Sequence, residues 1–370
     1  MRQGVRYLES ILVNAFPESS GRILINQASS FRSVTNRYAA EEISPQEFLQ
    51  SKNFSSQIRT VAIGLLGVFN PHLRPASLSR LNAARSLWAK VELNQNRSRR
   101  KRRVYVVQNI EHIFVPSFSF DKNVFIALRF ISKPADDNSR DFLNAIGDLA
   151  RKNPGRIQIA FENYKCKLWF DENMPNVKSF HVPWFGITNT FEQHPNEIIQ
   201  KTKVVFPGAQ RKEKGISMIP EILNNIRAHG YDDLQASIQF SSDFVEVYDE
   251  ISRDEKVLIL PETLSHEMYL MELRSAAIAI LPYSETNYLW TGSGIMADCI
   301  ATGTYLIAPH GTAIGAEIDR FNLGRTYSNA SQIPDLINEI YKDTTLSLSF
   351  DVYRKIAAEG IDNWLDFQLD

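Results

Sequence analysis

The sequence predicts an α/β protein with two doubly wound, Rossmann-like domains. Short runs rich in Val, Ile and Leu alternate with helical periods through the second half of the chain. Strands this apolar, without alternating polar residues, are typical of a parallel sheet covered by helices on both faces. The length of 370 residues suits two domains of about 150 residues each. A polar stretch at 184–202 predicts the linker between them.

The C-terminal half has the more regular pattern, and residues 215–228 place four apolar side chains on one helical face. The predicted strands are 203–208, 234–240, 256–260, 277–283 and 304–309, and the predicted helices are 215–228, 265–276 and 293–302. This alternation predicts a doubly wound domain over 200–345.

The N-terminal half is less regular but of the same type, which predicts a second α/β domain over 1–190. We expect the remaining segment, 346–370, to be helical and to pack back on that domain. The predicted strands are 21–27, 59–69, 103–109, 123–132, 156–161 and 178–183, and the predicted helices are 77–94 and 139–152.

Composition excludes several classes of protein. The 41 Lys and Arg residues balance 42 Asp and Glu residues, so no overall field draws the chain to nucleic acid or an anionic membrane. No apolar run reaches the length of about 18 residues that a spanning helix needs. Cys166 and Cys299 cannot build a disulfide framework, and no His, Cys or carboxylate cluster has metal-ligand spacing. With an amphipathic N-terminus instead of a signal peptide, these features predict a cytoplasmic protein without a metal.

The first candidate site is the turn GAQRKEKG (208–215), which follows a predicted strand and opens a predicted helix. Gly208 allows a tight turn, while Arg211 and Lys214 bring two cations to a helix N-terminus that already favours anions. The turn therefore predicts a phosphate site. The alternative is a solvated basic turn.

The second candidate site begins the predicted helix at 293–302. Thr291, Gly292, Ser293 and Gly294 place small residues and free N–H groups at the helix start, so a diphosphate could approach the backbone closely. Asp298, about one and a half turns into the helix, could accept hydrogen bonds from a ribose. The alternative makes Ser293 an ordinary N-cap and Asp298 a surface carboxylate.

These segments, in this order, resemble the donor domain of GT-B-fold, nucleotide-sugar-dependent glycosyltransferases, specifically the bacterial family 4-like enzymes of polysaccharide assembly. Residues 208–215 resemble the family's G-x-x-R-x-E-K-G turn, and 293–312 resemble its S-G-hydrophobic-x-x-E-A-x-A-x-G-x-P signature. Residues 264–283, 156–170 and 176–186 are similar to further family segments. The resemblance implies two domains that face a central cleft, with the donor on the C-terminal domain and the acceptor on the N-terminal domain.

The chain departs from the family at its Glu-x7-Glu pair. Asp298 stands where the second Glu belongs, Trp290 occupies the position of the first, and Glu285 lies upstream in a longer loop. We keep Glu285 and Tyr283 among the candidate donor-binding residues. Residues 4–16 resemble the family's first helix, although the strand that precedes that helix is not visible in the sequence.

Two positions in the N-terminal half are candidate catalytic groups because they follow predicted strands. Glu111 and His112 could act as a general base or anchor the acceptor, since His titrates near neutral pH. Glu162 is a similar candidate, and its alternative role is to cap the helix that begins near Asn163.

The segment RSRRKRR (Arg97 to Arg103) has six cations in seven residues. A solvated loop is one interpretation, and contact with anionic lipid at the inner face of the membrane is another. Binding of nucleic acid through this run is a third function class, which predicts a steep salt dependence, but no nucleic-acid fold motif accompanies it.

We therefore expect a metal-independent, hexosyltransferase-type glycosyltransferase. It would move a sugar from a nucleoside-diphosphate sugar to a saccharide, lipid-linked or protein acceptor, with no cofactor besides the donor substrate. The alternative is a non-catalytic GT-B-fold binding or assembly subunit, which the Trp290 substitution would permit.

Overall fold

The structure is a computed structural model that describes residues 22–25, 39–42, 103–108, 124–130, 133–183, 200–240 and 243–366. The chain forms two compact units. Unit 1 comprises the residues up to Glu162, Cys166–Val182 and Gly360–Asp370, and unit 2 comprises Asn163–Lys165 and Pro183–Glu359.

Unit 1 contains a parallel four-stranded sheet whose strands lie side by side in chain order, β3-β4-β5-β6. A separate pair of parallel strands, β1 and β2, precedes it. The strands are β1 (Arg22–Ile25), β2 (Ala39–Glu42), β3 (Arg103–Gln108), β4 (Val124–Phe130), β5 (Ile157–Phe161) and β6 (Ser179–His181). Helix α1 (Asp137–Lys152) connects β4 to β5, and α2 (Tyr164–Asn173) connects β5 to β6.

Helix α1 illustrates how local sequence sets an element. The Asp136 carboxylate accepts a hydrogen bond from the Ser139 backbone N–H at 2.8 Å and so caps the first turn. Leu143 and Ile146, three residues apart, are both fully buried. The helix therefore buries one face, as its 3.6-residue periodicity predicts.

Unit 2 contains a six-stranded, all-parallel sheet in the order β12-β11-β10-β7-β8-β9. The strands are β7 (Gln200–Phe206), β8 (Gln235–Gln239), β9 (Val257–Leu260), β10 (Ala276–Ile280), β11 (Tyr305–Pro309) and β12 (Gly324–Tyr327). The chain starts at the centre, builds outward to β9, and then returns to add β10 on the other side of β7. The strand order therefore reverses between β7 and β10, which is where doubly wound sheets bind ligands.

Helices cover both faces of this sheet. The helices of unit 2 are α3 (Ile219–Ala228), α4 (Val245–Ile251), α5 (His266–Ser275), α6 (Glu285–Tyr288), α7 (Gly294–Thr302), α8 (Ala313–Phe321), α9 (Ile333–Lys342) and α10 (Leu346–Leu365), of which the last residues, from Gly360, belong to unit 1. Phe206 packs in one apolar core with α3 and α9, whereas its neighbour Val205 packs in a second core with α5, α7 and α8. Successive strand residues point to opposite faces, so a doubly buried strand must be apolar throughout.

The structure confirms the predicted order of strands and helices in unit 2 and places β1, β3, β4, β5, β6 and α1 within the ranges predicted for them or up to two residues beyond. The predicted start of the helix at 215–228 is wrong, because α3 begins only at Ile219, after two 3₁₀ turns. The elements predicted at 59–69 and 77–94 lie outside the described residues, as does 184–199 of the linker. Among the helices that are described, none combines the length and apolar composition needed to cross a bilayer.

Candidate functional site

The residues predicted to bind a diphosphate follow β7 and β10, the two strands between which the order of the sheet reverses. Their loops are joined by a hydrogen bond from the Ser284 N–H to the Glu213 carbonyl oxygen at 3.0 Å. A second contact joins Gly215 to Pro282, as described next. The structure thus brings both predicted phosphate sites to one edge of the sheet.

The turn after β7 depends on glycine. Gly215 has a φ of +75°, and a Cβ at this position would lie 1.7 Å from the Pro282 carbonyl oxygen. Only glycine allows this approach. The turn forms a 3₁₀ segment at Lys212–Lys214, and four residues separate this segment from the start of α3. The sequence predicted that Arg211 and Lys214 lie at the N-terminus of the helix that follows them. This prediction is wrong, because two 3₁₀ turns separate them from α3.

Lys214 lies instead beside the start of α7. A Cβ added to Gly208 would be 3.0 Å from the Lys214 Nζ atom and 2.4 Å from Cδ1 of Ile295, the second residue of α7. Lys214 is only 8% exposed, and within the described residues its Nζ has no hydrogen-bond or ion-pair partner. Burial, followed by the charge of Arg211, lowers the pKa of Lys214 to about 8. Arg211 itself is exposed and pairs with Glu213, Nε to Oε1, at 3.2 Å.

The first turn of α7 is open. Ser293 is the N-cap residue in an extended conformation, but its side chain makes no capping hydrogen bond; its Oγ lies 3.4 Å from the Tyr283 hydroxyl. A Cβ added to exposed Gly294 would meet no atom within 4 Å. The first N–H groups of a helix have no intrahelical acceptor, so this turn presents donors to open space. Gly292 and Thr291 precede it, and the Thr291 hydroxyl donates to the Asn287 carbonyl oxygen at 3.1 Å.

Asp298 is half-buried and is not a surface carboxylate. The Tyr269 hydroxyl on α5 donates a hydrogen bond to its Oδ2 at 3.2 Å. Burial raises the pKa of Asp298 to about 6, and the hydrogen bond from Tyr269 opposes that rise. The sequence analysis did not identify Tyr269, because a partner 29 residues away carries no local signal.

Tyr283 lies beneath this edge, fully buried, with its ring 4.2 Å from that of Tyr288 at an interplanar angle of 32°. Burial raises the pKa of both phenols, so both are neutral at ordinary pH. Tyr288 was also missed by the sequence analysis. Its position about one helical turn after the candidate residue Glu285 is the signal that could have found it.

The two positions tied to sugar recognition have other contacts. The exposed Glu285 carboxylate carbon lies 2.7 Å from where a Gly311 Cβ would be, against the loop after β11. The Trp290 carbonyl oxygen accepts a hydrogen bond from Asn163 Nδ2 at 3.0 Å, and the Lys165 Nζ lies 5.2 Å from the Trp290 ring centroid. Trp290 therefore packs with residues 163–165 of the same unit.

The candidate catalytic residues of the N-terminal half fall into two groups. Glu162 follows β5, and its carboxylate Oε2 lies 3.9 Å from Nη2 of Arg129, whose side chain is fully buried. The Arg129 Nε donates to the Val182 carbonyl oxygen at 2.8 Å. Glu162 thus neutralises a buried cation. Glu111 and His112 lie outside the described residues, as does the run Arg97 to Arg103 except for Arg103, which begins β3.

Metal ligands form no cluster in the described ranges, where no three His, Cys, Asp or Glu side chains could hold an ion together. The positive groups that the described residues bring to this edge are Lys214, Arg211 and the first turn of α7.

No protein-family model and no curated protein sequence matches the chain. Among solved structures, the apo structure of OtsA has 10% identity and a TM-score of 0.52, over 97% of this chain and 94% of that one. The UDP-forming α,α-trehalose-phosphate synthase of Burkholderia xenovorans has 9% identity and a TM-score of 0.46, over 66% of both chains. WaaG, a glycosyltransferase involved in lipopolysaccharide biosynthesis, has 12% identity and a TM-score of 0.43, over 78% of this chain and 80% of that one.

The fold is GT-B-like. Two parallel-sheet α/β units and the full-length similarity to OtsA support this assignment, which confirms the fold class predicted from the sequence. At 10% identity the similarity speaks to the fold alone. What this chain binds must be argued from its own site.

Proposed function

We propose that the protein is a glycosyltransferase whose unit 2 binds a nucleoside-diphosphate sugar. The observation that supports this most is Lys214, whose side chain is buried and whose Nζ has no hydrogen-bond or ion-pair partner among the described residues. A buried charge is costly unless it is paired. A diphosphate at the start of α7 would supply the missing anion.

The same groups would assist the chemistry. Charge develops on the diphosphate as the glycosidic bond to the sugar breaks, and fixed positive groups aimed at that charge lower the barrier. Lys214, the first turn of α7 and the exposed Arg211 would share this role, without an obligatory metal. Donor contacts of Tyr283, Glu285, Thr291 and Asp298 belong to this proposal too.

The finer assignments rest on the sequence alone, through the family resemblance, the composition and the places of residues after predicted strands. They are a family 4-like enzyme of polysaccharide assembly, a carbohydrate or glycolipid acceptor held by the N-terminal domain, and a cytoplasmic location with membrane contact through Arg97 to Arg103. Glu111 or His112 would take the acceptor proton, in which case replacing the responsible residue by Ala lowers turnover about a hundredfold or more. Nucleotide affinity should stay intact in these variants.

A non-catalytic binding subunit is the second candidate, and Trp290 is the observation that favours it. An indole stands where the related enzymes carry a carboxylate for the donor sugar, and it packs with Lys165 and Asn163. Such a protein would keep the diphosphate site and lose turnover.

The deciding experiment measures transfer. The protein is incubated with UDP-, GDP-, ADP- and dTDP-sugars and mixed saccharide and glycolipid acceptors, and release of the nucleoside diphosphate is followed. We expect release with one donor, lost in Lys214→Ala and retained in Lys212→Ala, an exposed lysine of the same turn. Diphosphate binding without release under every condition would favour the binding subunit.

A further inference from the structure

The Asp298 carboxylate presents its two oxygens differently. Oδ2 accepts the hydrogen bond from the Tyr269 hydroxyl at 3.2 Å. Oδ1 has no hydrogen-bond partner among the described residues, and it is not among their fully buried polar atoms that lack one. One oxygen is thus held from α5, and the other stays available as an acceptor.

The described groups that interact with Asp298 and Tyr269 are all neutral at physiological pH. Those that act on this pair within the described residues are the phenols of Tyr269 on α5 and Tyr283 after β10, and the thiol of Cys299 on α7. Burial raises the pKa of all three, and Asp298 raises those of Tyr269 and Cys299 further. Asp298 is therefore the member of this cluster whose charge changes between pH 5 and pH 7.

We propose that Tyr269 is a positioning residue, which holds Oδ2 of Asp298 so that Oδ1 accepts a hydrogen bond from the ribose of a bound nucleoside diphosphate. This inference rests on the proposed function. Tyr269 acts through Asp298 and need not touch the nucleotide. A donor fixed on one oxygen removes the rotational freedom that a half-buried carboxylate would otherwise lose on binding.

The pairing predicts a pH dependence of nucleotide affinity. A proton added to Asp298 goes to Oδ1, because Oδ2 already faces a donor, and the acceptor for the ribose is then lost. With an Asp298 pKa of about 6, the ionised fraction falls about fourfold between pH 7.5 and pH 5.5. Tyr269→Phe removes a hydrogen bond to the charged form, so the midpoint should move to higher pH.

The first measurement uses the free protein. The carboxyl resonance of Asp298 is followed by ¹³C NMR from pH 4 to pH 8.5, with Asp298→Asn for assignment. We expect the midpoint to rise in Tyr269→Phe and to stay unchanged in Tyr341→Phe, a matched control whose buried hydroxyl has no partner among the described residues. A midpoint unaffected by Tyr269→Phe would overturn the positioning role, whatever the protein binds.

The second measurement titrates UDP, GDP, ADP and dTDP into wild type, Tyr269→Phe and Asp298→Asn from pH 5.5 to pH 8. Asp298→Asn corrects for ionisation of the diphosphate itself. Relative to it, we expect wild-type affinity to fall about fourfold at the acid end and the fall to begin at higher pH in Tyr269→Phe. Identical pH profiles of nucleotide affinity for wild type, Tyr269→Phe and Asp298→Asn would overturn the ribose contact. Binding of none of the four probes to wild type would overturn the proposed function and the ribose contact with it, leaving the NMR result as a separate outcome.

Discussion

At the scale of single residues, the charges of Lys214 and Glu162 have opposite effects on the stability of the fold. Lys214 is buried without a carboxylate partner for its Nζ in the described structure, and its pKa is lowered to about 8. Glu162, in contrast, is committed to a buried Arg129. An unpaired charge such as that of Lys214 is a candidate for binding a ligand, whereas a paired charge such as that of Glu162 stabilises the fold.

Replacing Lys214 by Met should stabilise the protein while weakening nucleotide binding. Because the folded-state pKa is lowered, the charged lysine opposes folding fully below pH 8, and this cost disappears as the pH rises from about 8 to 10.5. At 1.36 kcal/mol per pKa unit, Lys214→Met gains up to about 3 kcal/mol at pH 7. Urea denaturation checks this, with Lys212→Met as the exposed control. A loss of stability in Lys214→Met would show that an unseen anion neutralises the lysine.

Glu162→Gln should destabilise unit 1 by about 3 kcal/mol, because it removes a carboxylate charge that faces the fully buried Arg129 side chain. Asp137→Asn is the control, since it breaks an exposed ion pair with Arg140 and should change stability by under about 1 kcal/mol. Chemical denaturation of both variants gives the comparison. Wild-type stability combined with a hundredfold loss of turnover would instead make Glu162 a catalytic residue.

At the scale of elements, the turn after β7 and the start of α7 form the site by close backbone approach. Gly208 and Gly215 both have φ near +75°, and each lies against a group of the β10–α7 region. The sequence predicted the turn and the helix as two phosphate sites, because glycines and small residues at strand ends are local signals. It missed the 3₁₀ geometry of Lys212–Lys214 and the close approach of Gly215 to Pro282, which lies 67 residues later in the chain.

Gly208→Ala should weaken nucleotide binding, whereas Gly230→Ala should not. Both glycines have positive φ, +75° and +82°, so alanine costs each about 1–2 kcal/mol of backbone strain. At Gly230 the new methyl group meets no atom within 4 Å, but at Gly208 it meets Ile295 and Lys214. Calorimetric titration of a nucleoside diphosphate distinguishes them. Equal affinities in the two variants would mean that Lys214 does not contact the ligand.

Gly294→Asp should strengthen helix α7 and weaken diphosphate binding. A carboxylate in the first turn stabilises a helix by about 0.3–1 kcal/mol, and the space around Gly294 is open. The same charge repels a diphosphate, so affinity should fall about tenfold or more. Gly294→Asn has the same shape without the charge and should bind far more tightly than Gly294→Asp. Equal diphosphate affinity in Gly294→Asp and Gly294→Asn would show that the diphosphate does not bind at the start of α7.

At the scale of the whole molecule, the doubly wound sheet of unit 2 was predictable because apolar strands buried on both faces are visible in sequence. The residues at the candidate site of this sheet were only partly predictable from the sequence. Tyr269 meets Asp298 across 29 residues, and Trp290 meets Asn163 across 127. A lone arginine in the apolar run VFIALRF (124–130) was the one signal that could have revealed the partner of Glu162. The fold follows from composition and periodicity, whereas these pairings follow from packing.

The central claim is that unit 2 binds a nucleoside diphosphate at Lys214 and the first turn of α7. The most direct test is calorimetric titration of UDP, GDP, ADP and dTDP into wild type, Lys214→Ala and Lys212→Ala. Loss of a charge-assisted hydrogen bond costs about 1.5–3 kcal/mol, so Lys214→Ala should bind the preferred nucleotide about ten- to a hundredfold more weakly, with Lys212→Ala unchanged. Equal affinity in Lys214→Ala and wild type, or no binding of any of the four to wild type, would contradict the claim.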